Sequence, residues 1–198
     1  MLYNLLFPLA DQFPLFNLFR YLTFRSGGAV LTALLISFVF GTAIIRWLKA
    51  KQREGQPIRE DGPESHLLTK KGTPTMGGTM ILLAVSCSTL LWADLGNAYV
   101  WITLFVTLGY GMVGFTDDFI KLTKRHHGGL PGRAKLALQF GIALLAGLWI
   151  QAEAPAGFET HVALPFFKEL LIDFGIFYLP FVMLVMVGAS NAVNLTDG

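Results

Sequence analysis

The chain has 198 residues, of which 54% are hydrophobic and 14% charged, with a formal net charge of +2. With a mean hydropathy of +0.56, these values exclude an ordinary soluble domain and make lipid the solvent for much of the chain. The single cysteine, Cys87, lies inside an apolar run, which excludes an intrachain disulfide framework and a paired-cysteine metal site and leaves a packing thiol.

Residues 1–24 are apolar and aromatic, with no basic run before them and no small-residue cleavage site after them. They are read as an interfacial segment rather than a removable signal, with Phe13, Phe16, Phe19 and Tyr21 at headgroup depth. A helix crossing the hydrocarbon core needs about 20 apolar residues, because its backbone polar groups must hydrogen-bond within the segment. Five stretches meet that demand: Ser26–Trp47, Thr75–Ala93, Ala98–Thr116, Ala134–Ala152 and Leu171–Ala189. The expected fold is therefore an all-α polytopic integral membrane protein, with five transmembrane helices in a single transmembrane domain over residues 1–198.

The connections differ in charge. The loop expected at 49–72 holds Lys49, Lys51, Arg53, Arg59, Lys70 and Lys71, and the one at 117–134 holds Lys121, Lys124, Arg125 and Arg133, with Lys135 just beyond. The alternate connections carry Asp94 in one case, and Glu153, Glu159 and Glu169 against Lys168 in the other. The positive-inside rule places both basic loops in the cytoplasm, the N-terminus in the periplasm and the C-terminal end back in the cytoplasm.

Three stretches unlike generic membrane helix fall on that cytoplasmic side. The first, Lys70-Lys71-Gly72-Thr73-Pro74-Thr75-Met76-Gly77-Gly78, combines two cations, two hydroxyls and glycines whose backbone can approach a phosphate. Its glycine and lysine order is not that of a Walker A loop. The same residues also suit a helix start, with Thr73 as N-cap and Pro74 at the first helical position, and a helix N-terminus is itself an anion site. The second is Asp117-Asp118-Phe119-Ile120-Lys121. Adjacent carboxylates at a span end are costly to desolvate, so they face water, meet a cation or pair with Lys121 at i,i+4 and i,i+3 spacing. They offer hard oxygen ligands for Mg²⁺ or a proton acceptor, while Lys121 and Lys124 offset phosphate charge. The third, Asn191-Ala192-Val193-Asn194-Leu195-Thr196-Asp197-Gly198, repeats polar groups every three residues, which is either one side of a continuing helix or a capped, frayed end. His66, His126 and His127 stand in polar or glycine-rich surroundings and are read as solvated.

Together these runs resemble the polyprenyl-phosphate hexosamine-1-phosphate transferase superfamily, and within it the phospho-N-acetylmuramoyl-pentapeptide-transferase branch. The resemblance covers the chain span by span. It implies transfer of phospho-N-acetylmuramoyl-pentapeptide from UDP to undecaprenyl phosphate, with release of UMP and a requirement for Mg²⁺, at the cytoplasmic face of the bacterial inner membrane. By the same resemblance Asp117 is the carboxylate that deprotonates the lipid phosphate and Asp118 its neighbour near metal and phosphates. Lys70, Thr75 and Lys121 contact phosphate or nucleotide, and Asn194 and Asp197 lie on the nucleotide side. Asn191, through its amide oxygen, and Asp117 are the metal ligands implied. Direct attack by the lipid phosphate and a covalent carboxylate intermediate are both compatible with these residues. The partners implied are the UDP-linked sugar peptide, the lipid phosphate, membrane lipid and a second copy in a homodimer, with no nucleic acid.

Members of that family have about ten spans, whereas this chain ends at Gly198, within the third motif. The expectation is that residues 1–198 alone do not turn over, because an incomplete site cannot neutralise a diphosphate in transfer. Two other readings compete: a sister transferase using a UDP-N-acetylhexosamine without peptide, and a non-enzymatic membrane scaffold. The Thr-Pro-Thr-Met-Gly-Gly wording stands against the first. The gathering of aspartates and asparagines at span ends, with span interiors free of charge, stands against the second.

Overall fold

A computed structural model describes residues 1–52, 76–124, 129–164 and 166–196. The chain divides into two compact units, Met1–Pro131 and Gly132–Gly198.

In the first unit, α1 (Leu2–Leu6) leads into two 3-10 turns, Phe7–Leu9 and Pro14–Arg20. Pro8 and Pro14 interrupt the segment, since neither supplies a backbone N–H. This stretch folds onto the end of α3 (Gly78–Trp92). The N-terminal ammonium donates to the carbonyls of Leu90 (2.8 Å) and Ala93 (3.1 Å), a favourable place for positive charge at a helix C-terminus. Phe19 stacks on Trp92 with ring centroids 5.7 Å apart.

Helix α2 (Leu22–Lys51) runs 30 residues, beyond both ends of the expected span, and packs against α3. Helix α4 (Ala98–Lys124) packs on the other side of the sequence-adjacent turn, also against α3. These contacts use small residues: Gly41 of α2 faces Met80 of α3, and Gly111 of α4 faces Leu82 of α3. Close backbone approach at glycine is how helices gain dispersion contacts where lipid removes the hydrophobic drive between them. Outward, α2 exposes Leu31, Leu35, Phe38 and Val39, as a lipid-facing helix does. Cys87 is also on the exposed face of α3, which corrects its reading as a packing thiol.

In the second unit, α5 (Gly132–Glu153) packs against α6 (Tyr178–Thr196). Ala143 and Ala146 are fully buried, and Gly147 meets Leu179 and Val182 of α6. Between the helices an antiparallel pair, β1 (His161–Leu164) and β2 (Phe167–Asp173), sets His161 opposite Asp173 and Ala163 opposite Leu171. Its closing corner is tied by the Thr160 hydroxyl and the Gly175 N–H, both donating to Asp173 Oδ1. These bonds hold the Asp173 carboxyl below the usual carboxylate range.

Four expectations are corrected. The chain is mostly helical but not all-α, because residues 161–173 form a hairpin. The last apolar helix begins at Tyr178 rather than Leu171, since Leu171 and Ile172 are spent on the strand. Residues 117–124, placed at the start of a loop, continue α4. Helix α3 starts at Gly78 rather than Thr75, after Met76 with a left-handed φ of +70°; the start read at Thr73 and Pro74 lies outside the described residues. Among the described residues four helices are long and apolar enough to cross a membrane, within α2, α4, α5 and a stretch from Gly175 to Asn194. The apolar α3 is shorter, at 15 residues, or about 22 Å of rise. The architecture is that of a multi-pass helical membrane protein.

Candidate active site

The apolar stretch of α4 gives way to Asp117 and Asp118 without a break in the helix, which leaves Lys121 one turn further on the same face. Its ammonium lies 2.6 Å from Asp117 Oδ2 and 3.8 Å from Asp118 Oδ1, so one cation bridges both carboxylates. Asp117 is the less exposed of the two, at 15% against 31%. A second support comes from beyond the helix. The Leu130 backbone N–H donates to Asp117 Oδ1 at 2.7 Å, so each oxygen of this carboxylate meets a donor. Gly129 makes that return possible: a Cβ there would overlap Asp117 Oδ1 and crowd Lys121 Cε.

In the second unit Asn191 and Asn194 lie one turn apart near the end of α6. The Asn191 amide nitrogen donates to Gln139 Oε1 (2.8 Å) and to the Val187 carbonyl (2.8 Å). Gln139 Nε2 approaches Ser190 Oγ at 3.4 Å. Gln139 is 3% exposed, and the sequence reading did not single it out. Its signal was available as a polar amide inside the apolar run of α5.

The structure thus brings together Asp117, Asp118 and Lys121, and places Asn191 and Asn194 on one helix. Lys70, Thr75 and Asp197 lie outside the described residues, as do His66, His126 and His127. Among the described residues no group of three His, Cys, Asp or Glu side chains is gathered as a metal cluster. The donors at the candidate positions are carboxylate and amide oxygens, the hard ligands that suit Mg²⁺ rather than a thiophilic metal.

The first signature of the phospho-N-acetylmuramoyl-pentapeptide-transferases matches residues 70–82. Proteins named phospho-N-acetylmuramoyl-pentapeptide-transferase are 61% identical over 198 residues in Granulibacter bethesdensis and 56% over 203 in Maricaulis maris, in each case covering all of this chain. One from Dinoroseobacter shibae is 55% identical over 190 residues, or 96% of the chain. The chain spans about half the length of these relatives: 55%, 55% and 53%. A sequence model described as glycosyl transferase family 4 matches residues 100–198, half of the chain and the half that carries the aspartates of α4 and the asparagines of α6. The chain belongs to glycosyl transferase family 4 and carries the first signature of the phospho-N-acetylmuramoyl-pentapeptide-transferases.

Proposed function

We propose that the protein transfers phospho-N-acetylmuramoyl-pentapeptide from UDP to undecaprenyl phosphate. An oxygen of the lipid phosphate bonds to the sugar-linked phosphorus, the bond from that phosphorus to the bridging oxygen breaks, and UMP leaves. The observation that carries this reading is the signature at residues 70–82 in a chain whose Asp117 is held between Lys121 and the Leu130 N–H.

Asp117 takes the proton from the lipid phosphate. The Leu130 N–H keeps Oδ1 oriented, while Lys121 passes from Oδ2 to an incoming phosphate oxygen and so frees Oδ2 as the acceptor. Lys121 then remains to offset phosphate charge, since such transfer is mostly positioning and neutralisation. Bound Mg²⁺ supplies further neutralisation of the diphosphate. The metal-holding roles fall to Asp117, through its carboxylate, and Asn191, through Oδ1, with Asp118 near metal and phosphates. Lys70 and Thr75 contact phosphate or nucleotide, and Asn194 and Asp197 the nucleotide, by family resemblance.

The reading includes a fifth span at α3, a periplasmic N-terminus and a cytoplasmic active site in the bacterial inner membrane, supported by the basic residues flanking alternate connections. In a Cys87→Ser background, an impermeant thiol reagent on spheroplasts should label Glu159→Cys and spare Lys135→Cys. The reverse pattern would invert the topology.

The activity test uses membranes carrying the chain continued past Gly198 by its own reading frame or, should that frame end there, by the remaining length of the Granulibacter bethesdensis relative. Polyprenyl phosphate and UDP-N-acetylmuramoyl-pentapeptide should give a Mg²⁺-dependent lipid product and UMP. Product from UDP-N-acetylglucosamine instead would assign the sister reaction, and product from neither would favour a scaffold. Residues 1–198 purified alone should give none; turnover by them would overturn the expectation of an incomplete site.

A further inference from the structure

A primary amide buried between two apolar helices loses several hydrogen bonds to water, which is costly unless partners are supplied. Gln139 of α5 is such a group, and α6 supplies the partners across a separation of 52 residues in sequence: Asn191 Nδ2 on its Oε1, and Ser190 Oγ near its Nε2. This pairing fixes more than the packing of two helices. The Val187 carbonyl, which is an acceptor only, takes the other N–H of Asn191. Both amide hydrogens of Asn191 are then engaged on the protein side, and the planar amide directs its oxygen elsewhere. Among the described residues no hydrogen bond reaches Asn191 Oδ1.

The geometry points to Gln139 as a positioning residue. It holds Asn191 so that the amide oxygen, and not the nitrogen, is offered to a divalent cation. The inference rests on the proposed role of Asn191 as a metal-holding residue, and adds the group that selects which face of its amide is presented. Without Gln139 Oε1 only the Val187 carbonyl still holds the amide nitrogen, and the amide turns more readily to offer N–H groups that repel a cation.

The test measures Mn²⁺ binding by electron paramagnetic resonance on the extended protein in detergent, beside the Mg²⁺ dependence of kcat and the melting temperature. Gln139→Met keeps the volume and removes the acceptor. It should weaken Mn²⁺ binding and raise the Mg²⁺ requirement about tenfold or more, the size seen when a group supporting a metal ligand is removed. Gln139→Glu, which retains an acceptor oxygen, should recover most of that loss and serves as the second variant should Gln139→Met not fold. Adding Gln139→Met to Asn191→Ala should cost nothing further in Mn²⁺ affinity, because Gln139 acts through Asn191. A lower melting temperature with unchanged Mn²⁺ affinity in Gln139→Met, while Asn191→Ala weakens binding, would overturn the positioning role and leave only a packing one. Unchanged Mn²⁺ affinity in Asn191→Ala would instead remove the metal role of Asn191 itself, and the inference with it.

Discussion

The polar groups at the end of α4 and those between α5 and α6 are held by opposite means. Asp117, Asp118 and Lys121 are charged, partly exposed and arranged along one helix by i,i+3 and i,i+4 spacing, with a backbone N–H from 13 residues on as a strut. Gln139 and Asn191 are neutral, and their pairing depends on two helices meeting. The contrast teaches where each kind of chemistry is tolerable. Charges that, in the proposed transfer, exchange partners with a phosphate belong near water, where rearrangement is inexpensive. A neutral amide can be fixed between apolar helices because, once satisfied, it carries no charge to desolvate.

Several substitutions break or sharpen this comparison. Lys121→Met removes the cation that bridges both carboxylates, and in the extended protein kcat/KM should fall about 10²–10³-fold, as when a donor to developing charge is lost. A change below threefold in the transfer assay would take Lys121 out of the site. Gly129→Ala leaves every charge in place but pushes on Asp117 Oδ1. On the proposed role of Asp117 this displacement should cost about tenfold or more in kcat, with the melting temperature nearly constant. Full activity would mean that the Gly129–Leu130 return is not what orients Asp117.

Away from both regions, Gly28→Ala tests packing alone. Its methyl would strike the Trp92 ring, which is stacked on Phe19 and donates through Nε1 to Thr32 at 2.9 Å. Overpacking should lower stability by about 1–3 kcal/mol, read as a lower Tm in detergent, with Mg²⁺ dependence unchanged. An unchanged Tm would show that Trp92 moves aside without loss. The smallest effect is at the hairpin corner. Asp173 has its folded-state carboxyl lowered by Thr160 and Gly175, so its contribution is complete above the unfolded value of about 3.9 and is lost only as pH falls through the lower folded one. The Gly175 amide resonance should therefore hold its position as pH falls through 3.9 and shift only below it. Titration at or above 3.9 would contradict the corner as described.

Local spacing made part of this legible. Long apolar runs located, among the described residues, four helices long and apolar enough to cross a membrane, and the Asp117–Lys121 pair followed from one-turn spacing once the helix continued. What escaped was decided by distant or backbone events. Leu171 and Ile172 read as the start of a membrane helix because hydropathy cannot distinguish an apolar strand from an apolar span. The left-handed Met76 ahead of Gly78 is a backbone feature that side-chain chemistry does not report. The Leu130 strut and the Gln139–Asn191 pairing are tertiary contacts, which no periodicity within one segment reports.

The most direct measurement is UMP release driven by polyprenyl phosphate, in membranes carrying the extended protein at matched expression, for the parent and Asp117→Asn. Loss of a proton acceptor predicts a fall of about 10²–10⁴-fold in kcat, with the lipid product lost in parallel. Parent-like turnover in folded Asp117→Asn would contradict the assignment of the α4 carboxylate as the group that prepares the lipid phosphate.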